Sequence, residues 1–435
     1  MAKITPKNVH EVLGRHILAD GFDMVYDLEK SKGSYIYDSR NEAKLLDMFS
    51  FFASQPVGHN HPKVCNPEFI TKMGKVAIGN PSNSDIYTVE MAEFVDTVAR
   101  VAMPKHMKYM FFISGGALAV ENALKTAFDW KVRKNFEKGC KEEKGSKIIY
   151  FKEAFHGRTG YTLTMTNTHD PRKTKLFPKF DWIRVDNPKI VFPLEKHLND
   201  VVEAEKRSIA QIMDAIAKNK DDIAAIIFEP IQGEGGDNQF RPEFVQQVQK
   251  ICRENEIMFI LDEVQSGCGM TGKMWAFEHY GVEPDIISFG KKMQVCGIFV
   301  SARVDEVKDN VFHEASRINS TWGGSLTDMV RATRYLEIIE EDKLVENAAK
   351  MGEYFVGKLH GFEPKVSNVR GKGLMMAFDL KDTETRGKFI SEMYKENVIV
   401  LPCGAVSVRF RPFLDVTKTD LDVALAAIEK VLARI

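Results

Sequence analysis

The chain has 435 residues, enough for two lobes and a sizeable core. Its 60 basic and 61 acidic side chains leave a formal net charge of −1, which removes any net field for recruiting nucleic acid or an anionic membrane, so an anion must be bound locally. Six scattered cysteines (Cys65, Cys140, Cys252, Cys268, Cys296, Cys403) show no close pair at metal-ligand or redox spacing, which predicts free thiols in a reducing compartment and no metal site.

The opening Met1-Ala2-Lys3-Ile4-Thr5-Pro6-Lys7 lacks the apolar core of a signal peptide, and no later stretch approaches about 18 consecutive apolar residues. A cytoplasmic location is expected. Residues 1–62 read as a peripheral segment joining a small domain: a short helix from Val9 to Leu18, a hairpin from Tyr35-Ile36-Tyr37-Asp38 and Leu45-Leu46-Asp47-Met48-Phe49, then an aromatic loop from Phe51 to Pro62.

Residues 63–325 alternate β-rich runs with helical patterns and read as the large domain. Strands are expected at Tyr109 to Ile113, Lys147 to Phe151, Trp182 to Val185, Ala224 to Phe228, Ile257 to Leu261, Ile286 to Phe289 and Gly297 to Ser301, with helices at Ala117 to Lys134, Ser208 to Lys218 and Arg241 to Asn255. Strands that are apolar throughout and alternate with helices imply a mostly parallel sheet covered on both faces, an α/β fold. Residues 326–435 read as a smaller α+β domain: a helical stretch from Thr327 to Leu359, strands at Lys365 to Val369, Leu374 to Leu380, Val398 to Leu401 and Ser407 to Arg411, and a final helix from Thr419 to Ile435.

Five stretches carry candidate chemistry. The run Ile257 to Leu261 ends in Asp262, a carboxylate able to coordinate Mg²⁺, to hold a protonated ring nitrogen, or simply to cap the next turn. Lys291 and Lys292 follow the next strand; a lysine in an apolar pocket loses amine basicity and becomes a nucleophile, although adjacent lysines more often form a solvated pair. Ser114-Gly115-Gly116-Ala117 opens a helix whose exposed N–H groups suit a phosphate, but it lacks the lysine of a P-loop. Phe155-His156-Gly157-Arg158 offers a ring for stacking and a guanidinium for a carboxylate. Glu229-Pro230-Ile231-Gln232-Gly233-Glu234-Gly235-Gly236 sets Glu234 between glycines, on backbone expected to move, with Arg409 and Arg411 as possible counter-charges. A phosphate cradle, a stacking ring, a ring-nitrogen acid and a Schiff-base lysine, in that order on an α/β chain, together specify pyridoxal 5′-phosphate.

The chain resembles the class III, or ω-type, aminotransferases of fold type I along nearly its whole length. The matching stretches are Gly58-His59-Asn60-His61-Pro62, Phe155 to Thr159, Phe228 to Gly236, Leu261 to Gly267 and Thr321-Trp322-Gly323-Gly324. The resemblance implies that Lys291 carries the cofactor, Asp262 keeps the pyridine nitrogen protonated, Gln265 binds the ring's phenolic oxygen, and Phe155 and His156 belong to the cofactor site. It places the phosphate on Gly116 and Ala117 and on Thr321 of a second subunit, hence a homodimer with sites at its interface. For substrate it implies Arg158, Asn319, Arg409 and a switching Glu234. Two departures narrow the group: Gln294-Val295-Cys296 stands where glycines are usual, and the phosphate turn is one residue longer. These resemble the members that move the ε-amine of L-lysine to 2-oxoglutarate; ornithine and 4-aminobutyrate are the alternative amines. A non-catalytic cofactor-binding protein would lack the lysine or the acid, and both are present.

Overall fold

The seven apolar runs expected between residues 107 and 301 pair into one seven-stranded sheet in the computed structural model, which describes residues 3–435. In spatial order the strands are Met107–Ile113, Cys296–Ser301, Ile286–Phe289, Met258–Asp262, Ile223–Phe228, Lys147–Phe151 and Ile183–Val185. Six run parallel; Cys296–Ser301 runs antiparallel to both its neighbours. The reason is length. Residues 290–295 alone separate it from Ile286–Phe289, whereas a parallel return needs a crossover of a dozen residues or more.

Both faces of the sheet are covered, which explains why its strands carry no polar alternation. On one side the helix Gly116–Glu137 sets Val120, Leu124, Ala127 and Trp130 against Ile148, Ile227, Ile260 and Ile298. On the other, Phe151, Phe228, Phe240, Phe244 and Phe259 form a fully buried aromatic layer, to which the helix Pro242–Glu254 contributes Phe244.

A four-stranded antiparallel sheet (Ser367–Lys372, Met375–Asp379, Ser407–Phe410, Leu401–Cys403), a three-stranded sheet (Tyr35–Asp38, Ala43–Asp47, Val398–Ile399) and a two-stranded one (Ile231–Gln232, Asn238–Gln239) complete the strand architecture. The run read as one strand from Val398 to Leu401 is thus split between two sheets. The helical stretch expected from Thr327 to Leu359 is two helices, Leu326–Glu341 and Leu344–Leu359, interrupted at Lys343 with φ +51°. The helix expected from Ser208 begins at Leu194. Helices Pro67–Ala77 and Val89–Val101, not anticipated, are announced by side-chain caps: Asn66 accepts from the Phe69 N–H at 2.9 Å and Thr88 from the Met91 N–H at 3.1 Å.

The aromatic loop after Phe49 holds the least expected local structure. Ser50, Phe51, Phe52 and Ala53 form one turn of left-handed helix, with φ of 41°, 52°, 59° and 65°. Left-handed backbone costs L-residues about 1–2 kcal/mol each, so tertiary contacts must impose it. Asp47 Oδ1 accepts from the N–H groups of Phe49 (2.9 Å) and Ser50 (2.7 Å), and Ser50 Oγ donates to the Arg411 carbonyl at 2.7 Å.

Candidate active site

A cavity of about 700 Å³ lies at the carboxyl ends of the parallel strands, where open α/β sheets place their ligands. Gly116, Ala117, Phe155, His156, Arg158, Glu234, Asp262, Gln265, Lys291 and Arg409 all line it. A second cavity of about 690 Å³, behind the Glu234 loop, carries none of them, and its lysines, arginine and acids are already paired: Lys189 with Glu153, Arg370 with Asp379 and Lys152 with Asp186.

Asp262 ends its strand almost fully buried. His156 Nδ1 lies 2.7 Å from Oδ2, while Ser288 Oγ and the Val264 N–H donate to Oδ1 at 3.0 and 3.1 Å. These contacts fix the plane of its carboxyl group. With Nδ1 turned to the carboxylate, the buried Nε2 of His156 has no hydrogen-bond partner among the described residues. His156 is thus a hydrogen-bond partner of Asp262.

Glu229, at the end of the neighbouring strand, is a staple. It accepts from the Phe155 N–H at 2.8 Å and the Gly233 N–H at 3.2 Å, tying the loop of the stacking ring to the loop of Glu234. Burial, reinforced by nearby Asp262, pushes its carboxyl well above the usual range.

The two lysines part company. Lys291 sits at φ +47° in the tight connection between antiparallel strands, and its side chain faces the cavity with no hydrogen-bond or ion-pair partner for the amine among the described residues. Burial, with the Arg409 and Arg411 charges nearby, lowers that amine to about 8. Lys292 points away and donates to the Gln55 carbonyl at 3.2 Å. Burial brings it lower still, to about 7, so basicity does not single out Lys291; of the two, only Lys291 lines the cavity. Gln294 Nε2, from the same connection, donates to the Ser54 carbonyl at 2.7 Å, fastening the end of the left-handed turn that brings Phe51 and Phe52 to the cavity wall.

The helix Gly116–Glu137 starts at the cavity with no side-chain cap on its first N–H groups. Gly157, at φ +128°, packs against it: an added Cβ would lie 2.5 Å from the Ala117 Cβ, so only glycine lets the His156 loop approach this closely. Arg158 is exposed at the cavity mouth, its guanidinium 5.9 Å from the centre of the Phe155 ring.

At the opposite wall, Arg409 Nη2 meets Glu234 Oε2 at 3.2 Å. Arg411 does not face the cavity. It is buried against Asp237, and its Nε and Nη2 each donate to Gln265 Oε1 at 3.2 Å, which leaves the Gln265 amide nitrogen as the donor turned elsewhere. The expectation of mobile backbone at Glu234 is corrected. A Cβ on Gly235 would meet the Glu153 carbonyl oxygen at 2.3 Å, and the Gly404 N–H donates to the Glu234 carbonyl at 2.8 Å. These glycines serve close packing, so any movement of the carboxylate belongs to its side chain.

Asn319 and Thr321 are exposed and do not line the cavity of their own chain; Ser82 Oγ donates to the Thr321 carbonyl at 2.6 Å. Lys173, also on the wall and paired with Glu234 Oε1, gave no signal in sequence, because Asp170-Pro171-Arg172-Lys173 reads as a solvated turn.

The class-III aminotransferase family model matches residues 18–432. The chain belongs to the class III aminotransferases. It is 48% identical over 433 residues to the L-lysine-epsilon aminotransferase of Mycobacterium tuberculosis, covering 98% of this chain and 96% of that one. It is 46% identical over 430 residues to the corresponding enzyme of Streptomyces clavuligerus, covering 97% and 93%. The solved lysine aminotransferase of M. tuberculosis, in its internal aldimine form, superposes with a TM-score of 0.96 at 48% identity over 99% of both chains. This aminotransferase is a fold type I enzyme dependent on pyridoxal phosphate. Its cavity fits that group: an uncapped helix N-terminus for the phosphate, a buried, hydrogen-bonded acid for the ring nitrogen, and an amine of lowered basicity, unpaired among the described residues, for the aldehyde.

Proposed function

We propose that this aminotransferase moves the ε-amino group of L-lysine to 2-oxoglutarate in a ping-pong sequence, giving 2-aminoadipate 6-semialdehyde and L-glutamate. The observation that carries the ω-amine part is the Glu234–Arg409 pair inside the cavity. The likeness at 46–48% identity to two lysine aminotransferases selects lysine among ω-amines.

Gly116 and Ala117 would take the phosphate, Asp262 the ring nitrogen, Gln265 the phenolic oxygen, Phe155 one ring face and Lys291 the aldehyde. Pyridoxal phosphate, when bound, supplies an electron-withdrawing ring that acidifies the carbon bearing the substrate's amine. Lys291 Nζ, of lowered basicity, is placed to take the proton from the ε-carbon of lysine as general base. Exposed Asn319, Thr321 and Trp322 support a homodimer in which Thr321 and Asn319 reach the site of the second copy.

The same site must bind an ω-amine and then an α-keto acid. An unpaired Arg409 would draw the α-carboxylate of lysine next to the reacting carbon and favour α-transamination. Masked by Glu234, it leaves that carboxylate to Arg158 at the mouth, and the ε-amine points inward. For 2-oxoglutarate, Glu234 turns aside and Arg409 receives the α-carboxylate. Glu234→Ala is expected to keep the cofactor while slowing the lysine half-reaction more than the 2-oxoglutarate one, read by single-turnover absorbance. Equal losses would sink the switch.

The test of the substrate is glutamate formation from 2-oxoglutarate with lysine, ornithine or 4-aminobutyrate. Lysine should lead by at least about tenfold in kcat/KM, the scale of one well-placed contact; ornithine or 4-aminobutyrate matching it would replace the reading.

A further inference from the structure

The carboxylate of Glu234 is held by two cations rather than one. Oε2 faces Arg409, whose side chain is 6% exposed, and Oε1 is paired with Lys173, at 23%. Lys173 stands on the short turn Pro171–Lys173, whose geometry is set by Asp170: that carboxylate accepts from the Arg172 N–H at 3.1 Å and from its guanidinium at 2.9 Å. Arg172 is thereby turned back on its own turn, and Lys173 is the cation presented to the cavity. The Glu234 backbone is fixed by the Gly235 contact and the Gly404 hydrogen bond. A carboxylate that leaves Arg409 must therefore rotate about a stationary Cα, and Lys173 already touches its other oxygen.

The two states of the carboxylate depend on Lys173 unequally. While Glu234 masks Arg409, loss of Lys173 still leaves the carboxylate paired. Once an incoming α-carboxylate has taken Arg409, loss of Lys173 leaves a partly buried anion without a counter-charge, beside a second anion. We propose that Lys173 is a positioning residue that receives Glu234 in its released state and so sets how readily the site accepts a dicarboxylate. The inference rests on the Glu234 switch described above.

The test is calorimetric binding of glutarate, an unreactive dicarboxylate, to the holoenzyme, beside KM for lysine and for 2-oxoglutarate. Lys173→Met should weaken glutarate and raise KM for 2-oxoglutarate about tenfold, the scale of one desolvated charge pair, and leave KM for lysine within about twofold. Lys173→Arg should restore wild-type values, and in a Glu234→Ala background Lys173→Met should add less than about twofold. Equal weakening of both substrates, unchanged or tighter glutarate binding, or failure of arginine to rescue would overturn the proposal. So would an undiminished effect in the Glu234→Ala background, which would mean that Lys173 meets the ligand directly while the switch stands. Equal impairment of both half-reactions by Glu234→Ala removes the switch, and the proposal with it.

Discussion

Replacing Lys291 by alanine is expected to abolish the visible absorption of covalently held pyridoxal phosphate and to lower transamination by roughly 10⁴-fold or more, because the proposed function makes one side chain both attachment point and general base. The matching change at Lys292, to methionine, should keep the absorption band. The contrast follows from geometry: the Lys291 amine faces the cavity without a partner, and that of Lys292 is spent on the Gln55 carbonyl. Absorption spectra of the two variants decide it, and a band lost with Lys292 instead would shift the assignment by one residue.

The largest expected effect on stability lies just behind the site. Arg411 and Asp237 form an ion pair with each side chain 1% exposed, and Arg411 also fixes Gln265 and lends its carbonyl to Ser50. Asp237→Ala leaves a buried guanidinium uncompensated and should cost about 3–5 kcal/mol, visible as a lower urea midpoint with an unchanged slope. Joint replacement by Asp237→Leu and Arg411→Met removes both charges and should recover most of that loss. A single change under about 1 kcal/mol would mean that Arg411 finds relief from the Met376 and Phe410 carbonyls it already approaches.

What sequence disclosed and what it hid divide along a physical line. Asp262 and Lys291 were readable because each closes an apolar run at a strand end, and strand ends in a parallel sheet converge on one crevice. The mobility assigned to Glu234 misread its glycines. Neighbouring glycine signals either conformational freedom or close approach, and only the contacts with Glu153 and Gly404 tell which. Lys173 was invisible because its partner is 61 residues away and its local sequence is that of an ordinary surface turn. The left-handed turn at Ser50–Ala53 was hidden more thoroughly: it contains no glycine, and its conformation is imposed by Asp47 and Arg411 from outside. The break at Lys343 likewise sits in a stretch whose composition favours helix throughout.

The connection of residues 290–295 has a further consequence. Because it joins two strands hydrogen-bonded to each other and holds only the single 3-10 turn Lys291–Met293, Lys291 is clamped on both sides by the sheet. The amine proposed to transfer the proton thus stands on a short connection within the main sheet. The groups proposed to choose between substrates, Glu234 and Lys173, stand on a close-packed loop and a short turn. On that proposal chemistry and discrimination occupy separate parts, so substitutions along the Glu234 wall are expected to retune which carboxylate is admitted while leaving the geometry of proton transfer in place.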